Sequence, residues 1–454
     1  MSSVRSEIQV LTDGISKDEY LHMSASLIRR IKVPTHRTLN VKFGACKLTV
    51  QVLPLIRSPK ALVRLTERTA ELMGLTDGDV VCVSYNPKTQ TIRLGPVIGV
   101  LLPRAGDNPD RPFGNITSFC KELHGASRIY GGIVYFFTPD DASESAVNGW
   151  RTVCDRFKRM KLPLPDIVYN RLTTRKLENK PSVQHFFTQV KSRYNGSIFN
   201  EKFLDKNEVF LALSKNPSIQ QHLPESHLFT RYEQLNTMCR RYGSVFLKPV
   251  TGSLGKGIIR VIRAKDRVQC QFASVNGAVT RSYSSLSKAF ATIRSKVQGK
   301  RYLIQQGLTL ITVQNRPVDF RALVQKNEHN RWTITSIVGR VANSQSFVSN
   351  VARGGMLVKA RSALAQSDLP KSLQSSAYVK LRRAALDIAN TVETEIPYHF
   401  AELGIDLAVD PSGRVWLLEV NSKPSKQDGT PLSDGKIRPS VRKVILYSRA
   451  LSGM

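Results

Sequence analysis

Cysteine is sparse and scattered in this chain. The six of them, Cys46, Cys82, Cys120, Cys154, Cys239 and Cys270, include no pair at metal-ligand or redox-motif spacing. That excludes a zinc knuckle or a CxxC centre and leaves reduced, structural thiols. Long apolar runs are missing too. The longest, near residues 96–102, is far too short to span a bilayer. Charged and polar residues interrupt the first stretch from Arg5 to Lys17, so it has no apolar signal core. A cytoplasmic location is the expectation. Acidic residues are few, with 35 Asp plus Glu against 67 Lys plus Arg, a net charge of +32. Such a balance attracts polyanions: nucleic acid, nucleotides, anionic polymers or acidic proteins. The basic residues are scattered, however, with no zinc-finger spacing and no glycine–aromatic run of the RNA-recognition kind. Nucleic acid is therefore not expected as the primary partner. There is no internal repeat, no Walker loop and no dinucleotide glycine fingerprint.

What is present has the texture of a layered globular protein. The 454 residues leave room for two or three domains with sizeable cores. Hydrophobic content of 41% and charged content of 22% are ordinary. Residues 1–37 read as a polar N-terminal extension with one short helix over 18–31. Residues 38–95 read as a small β-rich domain, for which a barrel is one arrangement: Leu48-Thr49-Val50-Gln51-Val52 alternates, a helix ends at Gly74, and two strands flank Asn86-Pro87-Lys88. Residues 96–195 run as apolar strand, helix over 116–124, apolar strand, helix near 152–160 and strand over 166–169. That β-α-β-α-β order predicts a small parallel α/β domain. The loop from Arg104 to Gly114 lies at a strand's carboxyl end, and reads equally as a ligand loop or an ordinary connection. Residues 196–454 read as α+β.

The chemistry-bearing residues fall in that last region. Lys248 sits in an apolar strand, and Thr251-Gly252-Ser253-Leu254-Gly255-Lys256-Gly257 follows it before another strand. Glycines let backbone amides approach phosphate oxygens, so the loop could close over a triphosphate, and a phosphate would satisfy the lysine. A flexible surface hairpin with a snorkelling lysine is the alternative. A further strand ends in Gln305-Gln306-Gly307-Leu308, either an adenine-reading edge or solvated amides. Asp319, Arg321 and Leu323 share a strand face. Arg340, Asn350 and Arg353 supply two guanidiniums and an amide, suited to phosphate or carboxylate, though in so basic a chain any one arginine could be surface.

A hairpin closes the set. Residues 404–421 give two strands around Pro411-Ser412-Gly413. Pairing Asp410 with Gly413 puts Ile405, Leu407, Val409, Trp416, Leu418 and Val420 on one face. Asp406, Glu419 and Asn421 then share the other, the carboxylates as diagonal neighbours roughly 7–8 Å apart. Such oxygen donors suit a hard cation; a half-buried hairpin with a wet face is the other reading.

Taken in order, these pieces resemble the ATP-grasp superfamily. Asp406 and Glu419 stand thirteen residues apart with Asn421 two further on, a spacing similar to the magnesium-binding ends of carboxylate–amine ligases. Asp205-Lys206-Asn207-Glu208-Val209, His222-Leu223-Pro224-Glu225, Val338-Gly339-Arg340-Val341 and Trp416-Leu417-Leu418-Glu419-Val420-Asn421-Ser422-Lys423-Pro424 resemble the endospore-coat-associated YheC/YheD family. The resemblance implies an ATP-grasp domain preceded by the α/β and β-rich domains. It implies ATP held by Lys206, Lys248, the loop from Thr251 through Gly252, Ser253 and Gly255 to Gly257, and Gln305, Gln306 and Leu308. It implies Mg2+ on Asp406, Glu419 and Asn421, with Arg321, Arg340, Asn350 and Arg353 steadying the transferred phosphoryl group or substrate. The implied function is an ATP-dependent carboxylate–amine ligase with an unknown carboxylate and amine. The alternative is a spore-coat or surface-associated structural protein that keeps the fold, partnered by acidic polymers or coat proteins.

Overall fold

The computed structural model describes residues 3–12, 18–55, 58, 60–252, 256–274, 277–342, 355–426 and 436–454. Seven strands close a barrel: β1 (Val4–Leu11), β2 (Tyr20–Ser24), β3 (Thr38–Phe43), β4 (Cys46–Leu55), β5 (Leu62–Thr66), β6 (Val80–Asn86) and β7 (Thr91–Gly95). The pairs β1–β5, β2–β4 and β3–β7 are parallel. Helices α1 (Ala25–Ile31) and α2 (Glu67–Met73) start at Ser24 and Thr66, whose side chains accept backbone N–H groups of Leu27 and Thr69. The extension reading of residues 1–37 is thus corrected, because they supply β1 and β2, and the stretch 18–31 is a strand followed by α1 rather than one helix. Val4, Ser6 and Ile8 point inward with a period of two, but the polar Ser6 conceals the pattern.

The second layer is a sheet of β8 (Val97–Leu101), β9 (Ile133–Phe137), β10 (Ala146–Val153), β11 (Arg156–Pro163), β12 (Ile167–Asn170) and β13 (Ser197–Phe199), in the order β11-β10-β9-β8-β12-β13. Strands β9, β8, β12 and β13 run parallel. Helix α3 (Thr117–Tyr130) links β8 to β9, and α4 (Arg175–Glu178) with α5 (Pro181–Ser192) links β12 to β13. The helix expected near 152–160 is instead the turn and second strand of the antiparallel hairpin β10–β11. Its turn residues Cys154 and Asp155 both have positive φ, 47° and 60°. Barrel and sheet share one hydrophobic core, running from Met23, Phe43 and Val83 into Val97, Tyr135, Leu162 and Val190. Arg151 is buried at their junction, paired with Asp79 at 2.6 Å and donating to the Gly74 carbonyl.

Helices α6 (Lys206–Ser214) and α7 (Pro217–Gln220) lead into the third layer. It is an antiparallel sheet of β14 (Ser226–Phe229), β15 (Ser244–Pro249), β16 (Ile259–Arg263), β17 (Val268–Ser274), β18 (Gly277–Tyr283) and β19 (Tyr302–Gln306), in the order β14-β19-β15-β16-β17-β18. One face, with Val245, Leu247, Val261 and Ile304, packs on α8 (Tyr232–Tyr242) and α9 (Leu286–Val297) through Leu235, Met238 and Ile293. The last sheet comprises β20 (Thr312–Val313), β21 (Arg316–Lys326), β22 (Trp332–Val341), β23 (Met356–Lys359), β24 (Glu402–Val409) and β25 (Val415–Asn421), ordered β23-β22-β21-β24-β25 with β20 beside β21. Phe320, Ala322, Val324, Ile405 and Leu407 turn one face toward α10 (Ala360–Ala365) and α11 (Lys371–Glu395). Helix α12 (Pro439–Leu451) runs back to the second layer, where Val441, Val444 and Ile445 join Phe119 and Leu123 of α3. No helix among the described residues is long and apolar enough to cross a membrane.

Candidate functional site

The site begins with the β24–β25 hairpin. Its turn is longer than expected. Gly413 N–H donates to the Asp410 carbonyl at 2.9 Å, and Asp410 N–H to the Arg414 carbonyl at 3.0 Å. This leaves Pro411, Ser412 and Gly413 as a three-residue loop, with Gly413 at φ +77° in the position that favours glycine. Val409 therefore pairs with Val415. A register shift between Asp406 and Leu407 then brings Asp406 directly opposite Glu419, and Gly404 opposite Asn421. Two expectations are corrected. The carboxylates are direct rather than diagonal neighbours, and the inner face holds Val415 and Leu417, not Trp416 and Leu418. Trp416 instead pairs with Ala408, donates to Asp410 Oδ2 at 2.9 Å and lies under the Arg414 guanidinium. Residues two apart share a strand face, so Asp406, Glu419 and Asn421 lie on one side.

A charged stripe continues across the sheet from these residues. Arg321 on β21 is directly opposite Asp406, and Arg340 on β22 is directly opposite Asp319. The Arg321 guanidinium grips both Asp406 oxygens, its Nη2 reaching Oδ2 at 2.8 Å. Arg340 Nη2 sits 2.8 Å from Asp319 Oδ2 and 3.1 Å from Asp406 Oδ2. Gly404 makes room: a Cβ there would lie 3.5 Å from Arg321 Cδ and Nη1 and 2.9 Å from the Pro424 Cβ. Burial opposes ionisation of Asp406, but Arg321 and Arg340 outweigh it and hold the carboxyl below its usual range. Burial likewise opposes the Arg340 charge, and Asp406 and Asp319 more than restore it.

The third layer supplies the facing side. Lys206, the first residue of α6, spans the gap: its Nζ lies 3.1 Å from Glu419 Oε1 and donates to the Gly252 carbonyl at 2.8 Å. Asp205 caps that helix by accepting from Glu208 N–H at 2.7 Å. Lys248 projects from the cleft face of β15 and donates to Gln305 Oε1. Burial pushes its ammonium down to about 8, with Lys206 adding to the shift and Glu419 and Asp406 opposing it. Thr251 and Gly252 follow β15, and the Tyr302 hydroxyl donates to the Gly257 carbonyl at 3.2 Å, pinning the loop's far end. Ser253 and Gly255, like Asn350 and Arg353, lie outside the described residues. Gln306 exchanges bonds with Glu225, its N–H donating to the Glu225 carbonyl at 2.8 Å and its Oε1 accepting from Glu225 N–H at 3.2 Å. Leu308 is half-buried just beyond the strand.

Lys206, Lys248, Arg321 and Arg340 thus meet Asp319, Asp406 and Glu419 in one cleft. Four cations against three carboxylates leave room for an anion. Among the described residues no three His, Cys, Asp or Glu side chains gather around a point, so a cation here would be held by two carboxylates and the Asn421 amide. Those are hard oxygen donors, and Mg2+ commonly takes one or two carboxylates plus phosphate oxygens. Asp406 can contribute one oxygen site. A carboxylate has about four lone-pair positions, and the two arginines occupy three. Asp319, which the sequence places on one strand face with Arg321, holds Arg340; Ser226, which holds Gln305, has no signal in the sequence, since a serine near a proline carries no pattern of its own.

Two antiparallel sheets backed by helices, with their polar faces turned to one cleft, define an ATP-grasp protein. The chain belongs to the YheC/D like ATP-grasp family, whose model its residues 195–451 match. It is 28% identical over 339 residues to the endospore coat-associated protein YheD of Bacillus subtilis (strain 168), covering 74% of each chain. It is 24% identical over 302 residues to the endospore coat-associated protein YheC of the same organism, covering 64% of this chain and 80% of that one. Among solved structures it is similar to D-alanyl-alanine synthetase A from Vibrio cholerae O1 biovar eltor, at 12% identity and a TM-score of 0.47, over 79% of this chain and 99% of that chain.

Proposed function

We propose that this protein is an ATP- and Mg2+-dependent carboxylate–amine ligase. The observation that carries the reading is the cleft in which Lys206, Lys248, Arg321 and Arg340 converge on Asp319, Asp406 and Glu419, in a chain of ATP-grasp family. Lys206 and Lys248 would hold the α- and β-phosphates, and the loop 251–257 would close over the triphosphate. The strand end at Gln305, Gln306 and Leu308 would border the adenine. Mg2+ on Asp406, Glu419 and Asn421 would shield the β- and γ-phosphate charge. Arg321 and Arg340, with Asn350 and Arg353, would steady the transferred phosphoryl group or the substrate carboxylate. A substrate carboxylate oxygen attacks the γ-phosphorus and ADP leaves. The amine then attacks the acyl carbon of the acyl phosphate, inorganic phosphate departs, and the proton lost by the amine nitrogen goes to that phosphate. Positioning and fixed charge do most of this work, and an amine entering already deprotonated needs no base from the protein.

A second reading draws on the names of the two relatives. The protein could be a coat-associated component whose main task is assembly, with cytoplasmic synthesis and spore-coat placement, and its acidic partners would meet the +32 charge. The experiment that separates the readings measures ADP release with Mg2+, ATP and a panel of amino acids and peptides, with mass spectrometry of the products. A ligase gives ADP and an amide adduct in equal amounts. A protein whose melting temperature rises with ATP and Mg2+ but which never releases ADP with any acceptor favours the assembly role.

A further inference from the structure

We propose that Ser226 and Gln305 are positioning residues for Lys248, so that the Gln305 side chain serves the phosphates of the nucleotide and not its adenine. The inference rests on the nucleotide reading above and assigns one of its residues a different role.

Strand register puts the three side chains together. Ser226 on β14 is directly opposite Gln305 on β19. Lys248 on β15 is opposite Leu303, which places it diagonal to Gln305 on the same face. A chain of hydrogen bonds joins them, and its direction is fixed from one end. The Ser226 hydroxyl donates to the Pro224 carbonyl at 2.9 Å. A hydroxyl has one proton, so toward Gln305 it can only accept. Gln305 Nε2 donates to it at 2.9 Å, which leaves Gln305 Oε1 to accept from the Lys248 ammonium. Turning the amide over would set its NH2 against the ammonium and leave Gln305 Oε1 facing a hydroxyl already committed elsewhere. Ser226 and Gln305 are 3% and 9% exposed, so water is poorly placed to repair either mismatch.

The partner's chemistry matters as much as its position. Lys206 is held by a carboxylate, Glu419. Lys248 is held by an amide, which orients the ammonium without cancelling its charge. That leaves on the wall of the cleft a fixed cation whose hydrogen-bond partner among the described residues is neutral, the property a phosphate ligand needs. It also engages both ends of the Gln305 amide within the protein, so the side chain is oriented by Lys248 and Ser226 and not by a base.

The test compares binding of adenosine, AMP, ADP and ATP, the last two with Mg2+, by competition against a fluorescent ATP. The proteins are the wild type, Ser226→Ala, Gln305→Leu, Lys248→Met and the double variant Ser226→Ala/Lys248→Met. A hydrogen bond to a charged group is worth roughly 1.5–3 kcal/mol. Gln305→Leu should therefore weaken ATP and ADP about ten- to a hundredfold while leaving adenosine unchanged. Ser226→Ala should do the same more mildly, and should have no further effect once Lys248 is Met, because it acts only through that lysine. Ligand-free melting temperatures monitor folding, and Ser226→Ala, the smaller change, carries the test if Gln305→Leu folds poorly. Equal loss of adenosine and ATP on Gln305→Leu, or a Ser226→Ala effect that persists beside Lys248→Met, overturns the inference. Wild-type protein that binds neither ATP nor ADP overturns the nucleotide reading itself, and the inference with it.

Discussion

Asp406 and Glu419 face each other directly across β24 and β25, yet they are held differently. Asp406 is clamped by Arg321 and Arg340 with its side chain 9% exposed, whereas Glu419 is 29% exposed and, among the described residues, forms an ion pair with Lys206 alone. Glu419 is therefore the carboxylate more easily released to an incoming cation.

Glu419→Gln is expected to abolish the Mg2+-dependent rise in melting temperature that ATP produces. The ligand-free melting temperature should move by only a few degrees, because the glutamine oxygen can still accept from Lys206 and a partly exposed ion pair contributes about 1 kcal/mol. Differential scanning fluorimetry with and without Mg2+ reads both. An unchanged ATP·Mg2+ shift in the variant would sink the metal assignment.

Nucleotide affinity should depend on pH through Lys248. Burial lowers its ammonium from 10.5 to about 8, and only the charged form attracts phosphate. ATP affinity should hold steady at and below neutral pH and weaken as pH rises through about 8. Folding responds with the opposite sign. The unfolded chain keeps this proton to 10.5 while the folded one releases it near 8, so stability rises with pH between those values. Titration calorimetry at pH 7 and pH 9.5 checks the affinity, and Lys248→Met should remove the pH dependence.

Gly404→Val should disturb the site from beneath. Its Cβ would lie 2.9 Å from the Pro424 Cβ, so Pro424 must shift, and the valine methyls would extend from a Cβ already in van der Waals contact with Arg321 at 3.5 Å. Overpacking of this kind costs about 1–3 kcal/mol, measurable by urea unfolding, and ATP binding should weaken with it. A variant as stable and as tight-binding as wild type contradicts the close packing.

Arg151→Ala should destabilise the whole N-terminal half. It removes the cation beside the buried Asp79 carboxylate, whose Oδ2 keeps its bonds from Thr76, and the donor to the Gly74 carbonyl, and removing one partner of a buried pair costs about 3–5 kcal/mol. Chemical denaturation followed by fluorescence tests this, and a loss below about 1 kcal/mol refutes it.

Acid should act through His399. Its Nδ1 donates to the Ile198 carbonyl at 2.8 Å and its Nε2 lies 2.7 Å from the Tyr447 hydroxyl. Burial, with Lys326 adding to it, lowers its pKa from 6.5 to about 4. The neutral ring's contribution is full above pH 6.5 and is lost as pH falls toward 4. His399→Phe should flatten that part of the stability profile, and an unaltered profile assigns the acid sensitivity elsewhere.

The sequence was legible where pattern and chemistry are local. Alternation with Asp410 paired to Gly413 puts Asp406, Glu419 and Asn421 on one strand face, and they share a face in the structure because the extra loop residue and the register shift offset each other. Register was not legible, since a third loop residue and the shift at Leu407 depend on backbone geometry that several sequences adopt. The β10–β11 hairpin was hidden because Cys154 and Asp155 take the positive φ values that Gly or Asn normally announce. The barrel's first strands were hidden because β1 pairs with β5 and β2 with β4, in parallel and far apart in sequence. The link from Ser226 to Lys248 needed strand register before it could be seen at all.

Helix α12 has a consequence for synthesis. Its Val441, Val444 and Ile445 complete the core around Phe119 and Leu123. Chains emerge from the ribosome at about 5–20 residues per second, and earlier segments usually fold first. Here the second layer must wait with one wall missing while both sheets of the cleft are made. Its apolar surface stays uncovered during that interval, the condition in which a chain is most prone to aggregate, and the layer closes only after the ATP-grasp region has been translated.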